Sequence, residues 1–306
     1  MRRIAVLMGG TSSEREVSLA SGANVAKALE SLGKFEVLPT ILDSDSIDAL
    51  PENVDAAYIA LHGGWGENGG VQSALDAAGI PYTGPGAAAS RIAMDKIETK
   101  RILDSAGVPT PPWRTVAIGE KPALPPDEAL PCVVKAPRDG SSVGVHLVNT
   151  SAEFIPALED CLRIDGREAL VEAYIPGRET TVGIIAGEPL PAIEIIAKGG
   201  WYGYEEKYNS SETAYPFLAD SADPADKALE KRLKEIAAEA WRAIGCRGVA
   251  RVDFRVAPDG SPFVLELNTS PGFTSHSLVP KAGICTGLTF AGVCERILAE
   301  AAFDRR

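Results

Sequence analysis

Two short segments near the C-terminal end of the chain carry charged and amide side chains at strand-like spacing. Arg251 and Asp253 are two residues apart in the first segment, and Glu266 and Asn268 have the same spacing in the second. Because side chains alternate between the two faces of a strand, each pair points to one side. If the strands are antiparallel neighbours joined by the turn at residues 257–261, their carboxylate and amide oxygens converge. Such oxygens bind Mg²⁺, usually together with water and substrate phosphates.

The same four residues also fit a simpler interpretation, in which they are polar strand ends that face solvent. Either interpretation suits any single residue. Three oxygen-bearing side chains and an arginine on matched faces favour a metal site. The pattern therefore predicts that Asp253, Glu266 and Asn268 bind Mg²⁺.

A lysine and a glycine–serine turn form a second group, at residues 135–144. Lys135 ends an apolar strand-like run and precedes Gly140, Ser141 and Ser142. Backbone N–H groups and hydroxyls of such a turn can fold over a phosphate while the lysine supplies positive charge. A surface hairpin with an isolated lysine would have the same sequence, so this segment alone indicates a phosphate-binding loop without establishing one.

Two residues of the N-terminal region, Glu14 and His62, follow strand-like runs. Glu14 lies in the first turn of a helix that we expect to begin with a capping box from Ser13 to Glu16. The carboxylate there either makes a favourable contact with the helix dipole or binds an ammonium group. His62 ends a strand of the same sheet, where ligands usually bind, but an isolated histidine is more often structural. The residues alone leave these alternatives open.

One glycine-rich segment suggests a different enzyme class. Residues 84–89 match the dinucleotide-binding pattern G-x-G-x-x-A, with Asp104 further along the chain, as in a nicotinamide-dependent oxidoreductase. The match is poor, because the preceding strand is short, Pro85 lies in the loop and no second strand carries the acid within a βαβ unit. Binding of Mg-ATP rather than NAD would separate the two classes.

The elements expected to position the N-terminal residues are alternating strands and helices. Within residues 1–94 we predict helices at 13–33 and 71–79, and strands at 4–10, 35–42, 56–64 and 80–84. This alternation predicts a doubly wound parallel α/β domain, open at the C-terminal ends of its strands. The first run follows two arginines but is too short for a signal peptide or a membrane span, so we interpret it as a strand.

Residues 95–178 and 179–306 are predicted to form two further parts, a small central subdomain and a C-terminal lobe. A helix at 94–107 and a proline-rich junction lead into the central part. A hairpin, a helix and a strand follow, at 131–148, 151–162 and 169–175. The lobe contains the remaining strands and helices, at 180–187, 190–196, 226–245, 248–258, 261–268 and 287–302.

Composition limits the classes of partner. The chain has 306 residues, of which 45% are hydrophobic, and a formal net charge of −12. We therefore do not expect broad binding to nucleic acid or to an anionic membrane, although a local basic pocket for phosphates is compatible with this charge. The five cysteines show no C-x-x-C spacing, which predicts a reduced cytoplasmic chain without disulfides or a thiolate zinc site.

Several of these segments together resemble one family, the D-alanine–D-alanine ligases of the ATP-grasp superfamily. The similarity extends from residue 4 to residue 280 and rests on the motifs GGTSSEREVSLASG, ALHGGWGENGGVQSALDAAGIPYTGPG, MDKIETK, VVKAPRDGSSVGV, YEEKY, ARVDF and LELNTSPGFTSHSLVP. It implies a fold of mixed α/β and α+β class, in which the doubly wound domain precedes a two-lobed ATP-grasp fold.

The resemblance also implies a reaction. ATP would phosphorylate the carboxylate of one D-alanine, and the amine of a second D-alanine would attack the resulting acyl phosphate. The product would be the dipeptide used in peptidoglycan precursors. A homodimer is also implied.

A nucleotide site follows from the same resemblance, with ATP and Mg²⁺ as cofactors, two metal ions and possible substitution by Mn²⁺. Lys96, Lys135 and Lys207 would contact phosphates, together with Ser142 of the loop. The adenine and ribose would be bound by four residues of one segment, namely Glu172, Tyr174, Ile175 and Glu179. The metal positions of the family are matched by Asp253, Glu266 and Asn268.

For the first D-alanine, the resemblance implies that Glu14 binds the ammonium group and that His62 lies nearby. Glu14 would also form a hydrogen-bonded network with Ser141 and Tyr208 that closes a loop over the site. All three residues of this network would have catalytic roles.

For the second D-alanine, the implied contacts are Ser277, which would receive the carboxylate, and Leu278. Arg251 and the backbone N–H of Gly272 would stabilise the tetrahedral intermediate, which needs positioned donors for its oxyanion. Arg251, Gly272 and Ser277 complete the implied catalytic set.

The sequence departs from the family pattern at two positions. Lys135 is followed by Ala136 where the family usually has proline, and Tyr174 stands where many members have tryptophan or phenylalanine. Tyr208 is informative, because members that make a D-alanyl–D-lactate ester tend to have phenylalanine there. Tyr208 therefore predicts an amine acceptor and a dipeptide product.

A long aromatic and polar segment at residues 199–220 is predicted to be a lid that excludes water from the acyl phosphate. Two further alternatives remain on the same fold: a non-catalytic nucleotide-binding protein and another carboxylate–amine ligase. The combination of three lysines, three metal-ligand candidates and Arg251 favours a catalytic protein, because a binding module does not need an oxyanion arginine.

Overall fold

The computed structural model describes residues 1–120, 122, 129–140, 143–198, 212–274 and 276–304. Within these residues the strands form one parallel sheet of three strands and two antiparallel sheets of four and five strands. The predicted mixture of α/β and α+β parts is therefore confirmed.

The N-terminal sheet has the order β2-β1-β3, with β1 at Arg2–Gly9, β2 at Phe35–Leu42 and β3 at Ala56–Ile59. One face of β1 packs against helix α1, Arg15–Ser31, and the other face belongs to the core that contains helix α2, Gly70–Ala78. An apolar run without alternation is typical of a strand that is buried on both faces. The predicted doubly wound arrangement is confirmed, although the predicted strand at 80–84 is reduced to two isolated bridges of Tyr82, one to Ala57 and one to Ala302.

The first helix does not begin as expected. The N-cap of α1 is Glu14, and no side chain caps the helix end, so the predicted capping box of Ser13 and Glu16 is wrong. Instead, the hydroxyl of Ser12 accepts from the Glu14 N–H at 3.2 Å and donates to the carbonyl of His62 at 2.6 Å. These hydrogen bonds, one of which connects Ser12 to the segment after β3, replace the local cap and hold Glu14 close to His62.

The predicted helix at 94–107 is confirmed by a slightly shorter helix, and a helix that precedes it was not predicted. Two helices occupy this region, α3 at Ala87–Met94 and α4 at Lys96–Ser105. They meet at Asp95, whose backbone is extended and whose carboxylate accepts hydrogen bonds from the N–H groups of Ile97 and Glu98. A capping aspartate thus ends one helix and begins the next.

The central sheet has the order β4-β7-β5-β6, and helix α5 at Ser151–Asp165 packs on it. Its strands are β4 at Trp113–Ala117, β5 at Cys132–Lys135, β6 at Val145–Val148 and β7 at Glu168–Ala173. The predicted hairpin is confirmed, because β5 and β6 are antiparallel with Lys135 opposite Val145. Strand β4 was not predicted, since the prolines before it indicated a junction.

The C-terminal sheet has the order β10-β8-β11-β12, with β9 beside β8. These strands are β8 at Arg178–Ile185, β9 at Glu188–Pro189, β10 at Ile193–Ile195, β11 at Val249–Val256 and β12 at Pro262–Asn268. Helix α6, Pro224–Ile244, packs on the sheet through one apolar face, as its amphipathic sequence predicts.

Two helices end the chain, α7 at Leu278–Cys285 and α8 at Phe290–Ala299. Helix α7 was not predicted, whereas α8 matches the predicted final helix. Helix α8 joins the N-terminal core beside α1, so this core crosses the boundaries predicted at residues 94 and 178, which stay predictions. No single helix in the described ranges is long and apolar enough to cross a membrane.

A close approach between α1 and β1 allows a test of this packing. A methyl group on Gly22 would lie 2.5 Å from the Cβ atom of Met8 in the buried core. We expect Gly22→Ala to lower the free energy of unfolding by about 1–3 kcal/mol, because overpacking outweighs the gain in helix propensity. Chemical denaturation measures this change.

Gly292 in α8 is the matched control, because a methyl group there has its nearest contact at 3.3 Å, with the Thr289 hydroxyl. Gly292→Ala should be neutral or stabilise by up to about 1 kcal/mol. Equal effects of the two substitutions would show that α1 does not pack as closely as described.

Candidate active site

The predicted metal ligands meet across β11 and β12. These strands are antiparallel, with Asp253 directly opposite Glu266 and Arg251 directly opposite Asn268, as the sequence predicts. The register shifts after Asp253, where the ladder is irregular. Two carboxylates and one carboxamide thus face one cleft, and oxygen donors of this type suit Mg²⁺.

Each candidate ligand is oriented by a neighbour. Arg251 donates to both carboxylate oxygens of Asp253, at 2.8 and 2.7 Å, and the Thr181 hydroxyl donates to one of them at 2.6 Å. The Asn268 side-chain oxygen accepts from the Ser270 N–H at 3.0 Å. Carboxylate oxygens can accept more than one hydrogen bond or ligand, so the donor set fits a metal ion that shares Asp253 with Arg251 or displaces it.

A pocket between the central and C-terminal sheets contains the described residues predicted to bind nucleotide. Apolar side chains of Val133, Val145, Ile195 and Leu265 line part of it. The predicted residues that face the same pocket are Lys96, Lys135, Glu172, Tyr174, Ile175 and Glu179. A flat apolar surface beside charged groups suits a purine joined to phosphates.

Glu172 lies between two lysines in this pocket wall. One of its carboxylate oxygens contacts the ammonium of Lys135, and the other contacts the ammonium of Lys100. Burial acts to raise the pKa of Glu172, but the two lysines outweigh it and hold that pKa below the ordinary value. Burial acts to lower the pKa of Lys135, and the attraction of Glu172 outweighs it, so this pKa is raised. The nucleotide pocket therefore contains a buried, charged carboxylate.

Arg255 was not among the predicted site residues, but it forms hydrogen bonds with the segment after β7. Its guanidinium donates to the carbonyls of Ile175 and Gly177, at 3.1 and 3.0 Å, and to the Tyr174 hydroxyl at 3.4 Å. The same group lies 3.5 Å from Glu179. Because Arg255 is two residues from Asp253 on one strand, period-two spacing could have indicated that it faces the cleft.

The phosphate-loop segment is anchored to α4. The Lys96 N–H donates to the Pro137 carbonyl at 3.0 Å, and the Lys96 ammonium donates to the Asp139 carbonyl at 2.7 Å. Arg138 donates to three acidic side chains, those of Asp95, Asp165 and Glu168. The segment that leads from Lys135 into the loop is therefore held in place.

A second pocket contains the described residues predicted to bind the two amino acids. These are Glu14, His62, Arg251, Gly272, Ser277 and Leu278. The pocket also contains Lys96, Asp139, Gly140 and Glu266, which line the nucleotide pocket as well. The two pockets therefore adjoin at Lys96 and Glu266, whose charged groups are 3.4 Å apart.

His62 connects this pocket to the N-terminal sheet. Its Nδ1 faces the Ser270 carbonyl at 3.0 Å and its Nε2 faces the Ser21 hydroxyl at 2.9 Å, so the proton belongs on Nδ1. Ser21 also accepts from the Phe273 N–H at 3.1 Å. Burial lowers the pKa of His62, which favours the neutral ring. In this structure the histidine positions the backbone around Gly272.

Ser277 is the N-cap residue of α7, next to the bend that contains Gly272. The Ser277 hydroxyl accepts from the Thr274 N–H at 2.9 Å. A methyl group on Gly272 would lie 2.9 Å from the same hydroxyl, so the backbone there can approach the serine only because residue 272 is a glycine. The N–H of Gly272 and the hydroxyl of Ser277 thus lie at one end of the pocket.

Four predicted site residues lie outside the described residues: Ser141, Ser142, Lys207 and Tyr208. The predicted lid at 199–220 is described only from residue 212. In that part Ala214 bridges to Ile196, Phe217 bridges to Ile193 and residues 218–220 form a 3-10 turn, so this end of the segment is attached to β10.

The glycine-rich segment at residues 84–89 is not available to a dinucleotide. The Arg247 guanidinium donates to the Gly84 carbonyl at 2.8 Å, and the Asp304 carboxylate lies against Gly86 at the start of α3. A carboxylate of the protein thus occupies the helix end that would have to receive a pyrophosphate. This geometry disfavours the oxidoreductase alternative.

A doubly wound α/β part followed by two antiparallel sheets, with lysines and acidic oxygens in the cleft between those sheets, defines an ATP-grasp carboxylate–amine ligase. The family model described as D-ala D-ala ligase C-terminus matches residues 102–299, and the model described as D-ala D-ala ligase N-terminus matches residues 3–48. The chain belongs to the D-alanine–D-alanine ligase family.

Individual relatives agree with this assignment. The chain is 44% identical to the D-alanine–D-alanine ligase of Anaeromyxobacter dehalogenans over 304 residues, which cover 98% of this chain and 97% of the relative. It is 45% identical to that of Delftia acidovorans over 308 residues, which cover 99% and 93%.

Solved structures show the same similarity. The D-alanine–D-alanine ligase of Bacillus anthracis complexed with ATP has a TM-score of 0.85 at 33% identity and covers 98% of this chain and 97% of its own. The ligase of Coxiella burnetii has a TM-score of 0.83 at 25% identity, with 98% and 93% covered. The similarity in fold to these ligases therefore extends over nearly the whole chain.

Glu67, a second residue missed from the sequence, gives a prediction about pH. Burial and the nearby charge of Glu14 raise the pKa of Glu67 to about 8, from an ordinary value of 4.5. The folded state therefore holds a proton that the unfolded state releases between these values, so Glu67 makes stability fall as pH rises through this window. We expect Glu67→Gln to remove this part of the decline.

The measurement is the free energy of unfolding of both proteins without substrates, at several pH values across this window. The wild type should lose stability relative to Glu67→Gln as pH rises. Parallel curves would show that Glu67 is not perturbed by its surroundings.

Proposed function

We propose that this chain joins two D-alanine molecules in an ATP-dependent reaction that forms D-alanyl phosphate and then D-alanyl-D-alanine for peptidoglycan precursors. The observation that supports it best is the junction of the two pockets at Lys96 and Glu266. A phosphoryl group held on one side of this junction is within reach of a carboxylate held on the other. By analogy with the family, we also propose a homodimer that works in the cytoplasm.

The nucleotide would lie between the central and C-terminal sheets. We assign the adenine to the segment of Tyr174 and Ile175, the ribose to Glu179, and the phosphates to Lys96 and Lys135. Ser142 and Lys207 have phosphate contacts in this proposal, on the basis of the sequence alone. The buried lysines suit this role because a low-dielectric wall strengthens their attraction for phosphate oxygens.

Asp253, Glu266 and Asn268 would hold Mg²⁺, with two ions as the proposed number and Mn²⁺ as a substitute. When bound, the metal would neutralise charge on the phosphoryl oxygens. The remaining roles belong to the residues of the chain itself. Arg251 orients Asp253 and places a cationic group between this carboxylate and the amino-acid pocket.

The amino-acid pocket would bind both substrates. Glu14 would hold the ammonium group of the first D-alanine, near His62. A carboxylate oxygen of this D-alanine would attack the terminal phosphorus of ATP, and ADP would leave. The amine of the second D-alanine then attacks the acyl carbon, loses a proton, and inorganic phosphate leaves. Ser277 would hold the second carboxylate, beside Leu278.

Two donors would stabilise the tetrahedral intermediate of this second step. The guanidinium of Arg251 and the N–H of Gly272 line the same pocket. Preorganised donors at the developing oxyanion lower the barrier without reorganisation. In the structure, the hydrogen bonds of Ser21 and His62 with residues 270 and 273 give Gly272 its fixed position.

A substitution in the metal set tests this function. Glu266→Gln keeps the size of the side chain but removes a charge from the junction of the pockets. We expect phosphate release from ATP with D-alanine to fall by roughly a hundredfold or more, because charge stabilisation of phosphoryl transfer is lost. The unfolding midpoint should change little, since Glu266 lies at the cleft surface.

Asp259→Asn is the matched control, an acid-to-amide change in the exposed turn of the same hairpin. It should keep wild-type turnover. Normal activity of Glu266→Gln would remove Glu266 from the metal site, and equal rates of the wild type with D-alanine and L-alanine would contradict the proposed substrate.

Tyr208 gives a prediction about the acceptor that rests on the sequence alone. Tyr208→Phe should raise the use of D-lactate relative to D-alanine as the second substrate, because the resemblance links phenylalanine at this position to ester formation. The ratio of ester to dipeptide product measures the effect. An unchanged ratio would contradict the role of Tyr208 in selecting an amine.

A further inference from the structure

A lysine outside both pockets contacts a residue that lines the nucleotide pocket. Lys100 is fully buried on α4, one helical turn after Lys96. Its ammonium contacts one carboxylate oxygen of Glu172, while Lys135 contacts the other. A single buried carboxylate is therefore shared by two ammonium groups, of which only that of Lys135 faces the pocket.

Further hydrogen bonds hold the Lys100 ammonium in place. It donates to the Thr110 hydroxyl at 2.6 Å and to the Pro111 carbonyl at 3.4 Å. Thr110 in turn donates to the Val264 carbonyl of β12 at 2.9 Å. Thr110 and Pro111 accept two of the three protons of the Lys100 ammonium, and Glu172 is its ion-pair partner. Lys100 is thus committed to protein partners.

Lys135 has a different position. Its side chain lines the nucleotide pocket, where the proposed function assigns it to the phosphates. Exchange of Glu172 for a phosphate would turn the Lys135 ammonium away from the carboxylate. Loss of one partner from a buried ion pair is strongly unfavourable when the remaining charge is uncompensated. With Lys100 still in contact, the Glu172 carboxylate keeps a counter-charge.

We propose that Lys100 is a positioning residue for phosphate binding: it keeps Glu172 neutralised, so that Lys135 can exchange this carboxylate for the phosphates of a nucleoside di- or triphosphate. The inference rests on the proposed function, because it takes the pocket of Lys135 to be the nucleotide site. It assigns to Lys100 an effect on the phosphates and none on the adenosine part.

The effect can be measured by calorimetric titration with adenosine and with ADP. The ratio of the two dissociation constants, adenosine over ADP, reports the contribution of the phosphates. Lys100→Met keeps the length and apolar bulk of the side chain and removes its charge. We expect this ratio to fall on the order of tenfold or more, because Lys135 then remains with Glu172. The dissociation constant of adenosine should change little.

Lys34→Met is the matched control for the loss of one positive charge. Lys34 is exposed and pairs with Glu295 outside both pockets. This variant should keep the wild-type ratio. A fall as large as in Lys100→Met would mean that net charge, rather than Lys100, controls phosphate binding, and would overturn the proposal.

The double variant Lys100→Met with Glu172→Gln separates positioning from structural damage. Without the Glu172 carboxylate, no buried charge is left unpaired when Lys135 moves to a phosphate. The ratio should therefore return to the wild-type value even if adenosine binds more weakly. An unchanged ratio in Lys100→Met, or a ratio that stays low in the double variant, would overturn the proposal.

Glu172→Gln alone decides the question if Lys100→Met does not fold. Its ratio should equal or exceed that of the wild type, and a tenfold lower ratio would overturn the role of Lys100. If the wild type itself binds ADP no more tightly than adenosine, the proposed nucleotide site fails, which is distinct from failure of the Lys100 inference on a site that does bind phosphates.

Discussion

The antiparallel register of β11 and β12 is the constraint on which the site depends. Asp253 lies opposite Glu266, and Arg251 lies opposite Asn268. Val252, Phe254 and Leu267 alternate with these residues and are buried under α6. A slip of one residue would exchange the two faces of a strand, which would place charges in this core. Burial of the apolar face therefore sets the geometry of the polar face.

The parts that could be predicted from sequence are those set by short-range periodicity. The common facing of Arg251 and Asp253 follows from a spacing of two, and the hairpin after Lys135 follows from two strand-like runs that flank a polar loop. Long-range pairs leave no comparable pattern, so the contacts of His62 with Ser270 and of Lys100 with Glu172 could not be predicted. Helix α3 was not predicted, because residues 84–89 were interpreted as a glycine-rich loop.

Several cationic groups of the cleft contact carboxylates in the absence of any ligand. The chain has a net charge of −12, yet the cationic groups that face the cleft include three that contact carboxylates: Arg251 with Asp253, Lys96 with Glu266 and Lys135 with Glu172. A polyanion therefore exchanges partners with existing ion pairs instead of meeting bare cations. The binding affinity of the polyanion is the difference between the contacts that it gains and the ion pairs that it breaks. A lysine that does not face the pocket, such as Lys100, can therefore affect this affinity.

The residues assigned to the proposed site are positioned by three different sheets. Glu14 follows β1 of the N-terminal sheet, Lys135 ends β5 of the central sheet, and Asp253 lies on β11 of the C-terminal sheet. An acyl phosphate is lost if water reaches it before the amine, so the two pockets must adjoin without an intervening gap. The shared residue Asp139 illustrates how this is met: its carbonyl accepts from the Lys96 ammonium, and Asp139 lines both pockets.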